Sequence, residues 1–144
     1  MNPTTKVAFY IRSNFHGQDR MASDIQLLTE ECLKQGKKLV HIYVDHGYSG
    51  NDMSRPSLNR LLDDAKNGLF NEVMTPQLKH ISRKTIDLLH IVEDLQASNV
   101  SLNSPGSNMD FRKPIDLFSI KILGALASFE AALNDAVDSS SAEM

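Results

Sequence analysis

The 144-residue chain has one cysteine, Cys32, so no disulfide can form within it. Cys32 falls at an apolar helical position, where a small buried thiol kept in a reducing compartment is expected. No apolar run approaches the ~20 residues of a membrane span. The opening residues Met1 to Lys6 lack the apolar core and small-residue cleavage site of a secretory leader, and a cytoplasmic location is expected. A basic surplus is missing too: 15 Lys and Arg stand against 18 Asp and Glu. That balance argues against a self-sufficient nucleic-acid binder, whose grip comes largely from cations on phosphates. The acidic excess lies at one end, since from Lys113 onward two lysines face five acids. Neither a P-loop nor a G-x-G-x-x-G pattern occurs, and no cofactor is expected. None of His16, His41, His46, His80 and His90 has a second Cys or His at ligand spacing on its own element, so no metal site is expected.

What is present is an alternation of strand and helix patterns. Val7 to Ile11 and Leu39 to Val44 are short apolar runs suited to covered strands. Between them Ile25, Leu28, Cys32 and Leu33 recur at helical spacing, and Gly36 stands where a left-handed stop belongs. Ser54 is placed to cap a helix whose first turn holds Pro56 and whose stripe is Leu58, Leu61, Leu62 and Ala65, ending at Gly68. A third strand is predicted from Phe70 to Thr75, ended by Pro76. A helix follows from Thr85 to Ala97 with Ile86, Leu89, Val92 and Leu95 on one side, then a short strand at Val100 to Leu102 and a turn at Ser104 to Gly106. The succession predicts one α/β domain over 1–144, with a mainly parallel sheet and helices on both faces. Its core spans about 6–110.

The last helix, about 114–137, is different. Ile115, Phe118, Ile122, Leu126 and Phe129, with Leu117, Ile120, Leu123 and Leu133, make it apolar almost all round. A helix lying on one sheet has a polar outer face. The surplus marks a subunit interface, with deeper burial inside the domain as the alternative.

Five local signals resemble the catalytic domain of the serine recombinase (resolvase and invertase) family, in the family's order over roughly 6–133. Tyr10-Ile11-Arg12 closes the first strand, with Gln18 six residues beyond Arg12. Asp45-His46-Gly47-Tyr48-Ser49-Gly50 is similar to the D-x-x-x-S-G loop. Arg55-Pro56-Ser57-Leu58 followed by Leu61-Leu62 is similar to R-P-x-L-x-x-L-L. Leu78 to Arg83 stands at the L-D-R-L-S-R motif, and the long apolar helix at the family's dimerising helix.

The resemblance implies a DNA phosphodiester as substrate and a serine nucleophile in Y-x-R-x-S. It also implies an arginine cluster that stabilises phosphoryl charge, and a 5′-phosphoserine intermediate formed without metal or cofactor. By the same resemblance, Arg12, Arg55 and Arg83 are active-site arginines, and Asp45 and Ser49 belong to the second loop. The nucleophile position is Asn14, whose amide cannot attack or carry a phosphoester. Ser13 is one residue early, and strand alternation turns it to the other face unless the strand ends before Arg12. Lys79 and His80 replace the family's Asp-Arg, and an imidazole is cationic only below about pH 6.5. The family's separate DNA-binding region is not expected after the helix, whose end around Glu130, Asp135 and Asp138 holds no basic residue.

The expectation is therefore a resolvase-type domain that has lost strand cleavage. It would act as a self-associating or partner-binding regulatory module, with a homo-oligomer or a recombinase-type protein as partner, weak or no DNA binding and no membrane contact. A DNA-binding regulator and a residual recombinase forming a phosphoserine bond, through Ser13 for instance, are the alternatives.

Overall fold

A computed structural model describes residues 4–13, 18–49 and 52–142, with the side chains of 18, 19 and 138–142 outside that description. The elements run β1 (Lys6–Ser13), α1 (Gln18–Lys34), β2 (Lys38–His46), α2 (Pro56–Lys66), β3 (Glu72–Met74), α3 (Thr85–Ala97), β4 (Ser101–Ser104), β5 (Met109–Asp110) and α4 (Pro114–Ala142). Single 3-10 turns at Leu78–His80 and Pro105–Ser107 interrupt the connections. The sheet order is β2-β1-β3-β4-β5, parallel throughout except for β5.

Strand alternation divides the core. Val7 and Phe9 of β1 meet Leu28 and Cys32 of α1 on one face. Ala8 and Tyr10 turn to the other face and join Leu58 and Leu61 of α2, with Leu88, Ile91, Val92 and Leu95 of α3. Gly36 and Gly68, each just past a helix, have φ of 66° and 74°, the left-handed conformation that stops a helix at least cost.

Several local expectations change. Leu33 lies off the inward stripe and is 73% exposed, because one residue beyond Cys32 the helix has rotated away from the sheet. Helix α2 begins after Arg55 with no side-chain cap from its own sequence, so Ser54 is not the cap. The carboxylate of Asp45 on β2 instead accepts the N–H groups of Ser57 and Leu58, each at 2.9 Å. The third strand is only three residues long, and the two-residue β5 comes after the predicted turn.

At the opposite end of the sheet from the predicted site, the buried carboxylate of Glu72 takes the ammonium of Lys37 at 2.8 Å and Arg112 Nη1 at 3.0 Å. This ion group fastens the start of β3 to the turn that leads into α4.

Helix α4 packs mainly on α3 and meets the sheet at its edge strand β5. Gly124 is seated against Leu89, where a Cβ would collide with the leucine's side chain. Among the described side chains of α4 only Ile120 and Gly124 are buried, and from Ser128 to Val137 every residue is exposed. Ile115, Phe118, Ile122, Leu126 and Phe129 are 67, 59, 50, 50 and 63% exposed. Among the described residues no helix is long and apolar enough to cross a membrane.

Candidate functional site

The carboxyl ends of β1 and β2 and the segment after β3 carry the described residues singled out in the sequence. A cleft of about 610 Å3 opens there, lined by Arg12, Ser13, Arg20, Asp24, Gln77, Lys79, His80 and Arg83 among others. Arg12, Arg20, Lys79 and Arg83 give it four cations against the one carboxylate of Asp24. Such an excess suits a phosphate group.

Behind the cleft lies a buried network. The hydroxyl of Tyr10 donates to Asp45 Oδ2 at 2.8 Å and accepts from Arg55 Nη1 at 3.1 Å. Burial, first of all, pushes the Tyr10 phenol far above its ordinary range, so it stays protonated and keeps donating. Arg55 is fully buried and also donates to the carbonyls of His80 (2.7 Å) and Ile81. Asp45 is equally sequestered, its two oxygens divided between Tyr10 and the start of α2. Both residues organise the framework, and Arg55 fastens the 78–81 turn to β1 through Tyr10.

Arg12 has a comparable arrangement. Its guanidinium donates to the carbonyls of Tyr48 (3.1 Å) and Lys79 (2.8 Å), joining the loop after β2 to the 3-10 turn. Burial and the neighbouring charges of Arg55 and Arg83 lower its pKa. The backbone N–H of Arg12 donates to His80 Nδ1 at 3.0 Å, which requires that nitrogen to be unprotonated. His80 Nε2 lies 3.8 Å from the carboxylate of Asp24. Burial, then the cations Arg12, Lys79, Arg20 and Arg55, lower the His80 pKa to about 4. Asp24 is shifted upward, chiefly by burial. His80 is therefore a neutral imidazole at physiological pH.

Strand β1 continues through Ser13, and Ser13 nevertheless lines the same cleft as Arg12. The cleft wraps the end of the strand and so takes side chains from both faces. Ser13 has the parity of Val7 and Phe9 and faces α1, as the β1–β2 register Ser13↔His46 allows its Oγ to reach His46 Nδ1 at 2.7 Å. Ser49 is exposed on the loop after β2. Asn14 and the side chain of Gln18 lie outside the described residues.

Arg20, Asp24 and Gln77 were not singled out from the sequence. Tyr10 entered there only as the first residue of the Tyr10-Ile11-Arg12 signal, with no role given to its hydroxyl. Arg20 and Asp24 are four residues apart on α1 and so share a face, a signal that was available in the sequence.

A mostly parallel sheet, a cationic cleft at its strand ends and a long outlying apolar helix together define a serine-recombinase type of domain. Residues 7–137 match the resolvase N-terminal domain family, and the chain belongs to that family. A putative DNA recombinase of Bacillus subtilis is 33% identical over 135 residues, covering 88% of this chain and 25% of that protein. A probable DNA-invertase of Sinorhizobium fredii is 35% identical over 92 residues, covering 64% of this chain and 29% of that protein. The chain thus spans under a third of the length of these relatives. Among solved structures, the N-terminal catalytic domain of TP901-1 integrase superposes with a TM-score of 0.81 at 29% identity, covering 89% of this chain and 98% of that one. A resolvase family site-specific recombinase from Streptococcus pneumoniae has the same fold, with a TM-score of 0.80 at 23% identity over 96% of this chain and 95% of that one.

Proposed function

We propose that this domain is a pairing module of the resolvase type. Through α4 it associates with a second resolvase-type domain, in the first instance another copy of itself, and it has lost strand exchange through the family's serine position. The observation that carries this reading is the row of apolar side chains, each half exposed or more, from Ile115 to Val137. Ile115, Leu126 and Val137, Phe118 and Phe129, and Ile122 and Leu133 each recur at eleven residues. That period is close to a whole number of turns, so the stripe runs nearly straight along the helix and offers one continuous seam. A monomer leaves this seam in water at a cost of roughly 25 cal/mol per Å2 of apolar surface.

Three features support loss of the usual chemistry. Position 14 is an amide, Lys79 reverses the charge at the place of the family's aspartate, and His80 is neutral where the family has a permanent cation. Beyond Lys121 the chain holds no basic residue, so α4 has nothing to set against phosphates there. Paired with an active recombinase, such a protomer makes a defective pair and acts as a regulator. Sedimentation equilibrium of the chain alone tests the reading: a mass that rises to twice the chain's with concentration supports it, and a constant monomer mass contradicts it.

A further inference from the structure

A second hollow lies apart from the cationic cleft, on the face of the sheet that carries α1. Its volume is about 280 Å3, and its walls come from the end of α1, from β4 and β5, and from the turn into α4. The β3–β4 register pairs Asn103 with Met74, which packs on Leu28 and Cys32, so Asn103 is on the α1 side. Asn103 lines the hollow and is 6% exposed, yet no hydrogen bond among the described residues engages its carboxamide. Beside it Ser104 is fully buried, and its Oγ has no hydrogen-bond partner among the described residues. A buried amide with donor and acceptor both idle costs free energy until something fills the space before it. One water cannot do so in a hollow many times its ~30 Å3 share of the liquid.

The rim carries charges of both signs that are not spent on each other. Glu31 on α1 is held loosely, by Gln35 Nε2 at 3.4 Å and by an exposed Lys34 at 3.7 Å. Lys113, just after β5, is in no ion pair among the described residues. Asp110 lines the hollow too, but Arg112 already takes both of its oxygens. One carboxylate and one ammonium left over match a zwitterion better than an anion or a cation. Pro105 and Met109 are the only apolar lining among the described residues, which offers little to a hydrocarbon chain.

We propose that this hollow binds a free amino acid with an uncharged polar side chain. Glu31 takes the ammonium, Lys113 takes the carboxylate, and the Asn103 carboxamide pairs with the polar side chain. The 105–107 turn at the rim is bonded to the segment that leads to Lys79 and His80. Gly106 donates to the Pro76 carbonyl at 2.8 Å, and Leu78 donates to Ser107 Oγ at 3.0 Å. An occupant therefore rests against the turn that supports that segment. This inference does not depend on pairing through α4, and either can fail without the other.

L-Glutamine is the probe, titrated into the full nitrogen-15-labelled chain up to about 20 mM and followed by amide spectra. Saturable shifts are expected at the Asn103 side-chain amide and along 103–110, with a Kd in the millimolar range or tighter. N-acetyl-L-glutamine lacks the ammonium and L-glutaminamide lacks the carboxylate, so each should bind about 10-fold more weakly or not at all. L-Leucine keeps both poles but has nothing to pair with Asn103, and it should also bind more weakly. Glu31→Gln should abolish the preference for glutamine over its N-acetyl form, and Lys113→Gln the preference over its amide. Both side chains are on the rim, and thermal melts establish that the variants are folded. No saturable shift with L-glutamine, shifts confined to the cationic cleft, or an unchanged preference in either variant would each overturn the proposal.

Discussion

The backbone N–H of Arg12 donates to Nδ1 of His80 across 3.0 Å, tying the end of β1 to the 78–80 turn through an imidazole that must stay neutral. Protonating His80 removes this acceptor and adds a charge to a group of four cations.

The pH dependence of stability follows. An imidazole with an unfolded pKa near 6.5 and a folded value of about 4 takes up its proton first in the unfolded chain. Stability is therefore retained above pH 6.5 and lost as pH falls toward 4, by about 3 kcal/mol from this group. Asp24, raised by burial, titrates in the opposite sense and offsets part of it. Denaturant unfolding at pH 7 and pH 4.5 should give a smaller difference for His80→Gln than for the wild type. Equal differences would contradict the assignment.

Asp45 is a capping group borrowed from a neighbouring strand. Asp45→Ala leaves the N–H groups of Ser57 and Leu58 without their acceptor and the hydroxyl of Tyr10 with nothing to donate to. A loss of about 3 kcal/mol or more is expected in urea unfolding. Asp45→Asn, which keeps one acceptor, should lose less.

Gly124 sets how closely α4 approaches α3. Alanine there gains about 1 kcal/mol of helix propensity but drives a methyl into Leu89, an overpacking cost of ~1–3 kcal/mol. Net destabilisation is expected, relieved when Leu89→Ala is added. A double-mutant cycle measures the coupling, and additive effects would show that the contact is not the cause.

Much of this was legible in the sequence. The alternation of apolar strands and helical stripes specified the parallel α/β arrangement, and Gly36 marked the stop of α1 because glycine takes its φ at the least cost. The surplus of apolar residues on α4 announced an exposed seam. What sequence periodicity did not convey was tertiary. The cap of α2 comes from Asp45, which lies twelve residues before Ser57 and on another element. Arg55 reads as a surface residue of a first helical turn, yet it is buried on backbone carbonyls of the 78–81 turn. Ser13 was assigned by alternation to the face away from Arg12. That assignment holds for the strand, but the cleft extends around the strand's end and reaches both.

The pairing reading is tested most directly by the solution mass of the wild-type chain beside Ile122→Asp and Phe129→Asp, measured by sedimentation or light scattering. These side chains are 50 and 63% exposed, so the substitutions should leave the folded monomer intact, as thermal melts would establish. The account predicts a wild-type dimer that becomes a folded monomer in both variants. A wild-type monomer, or a dimer indifferent to both substitutions, would contradict it.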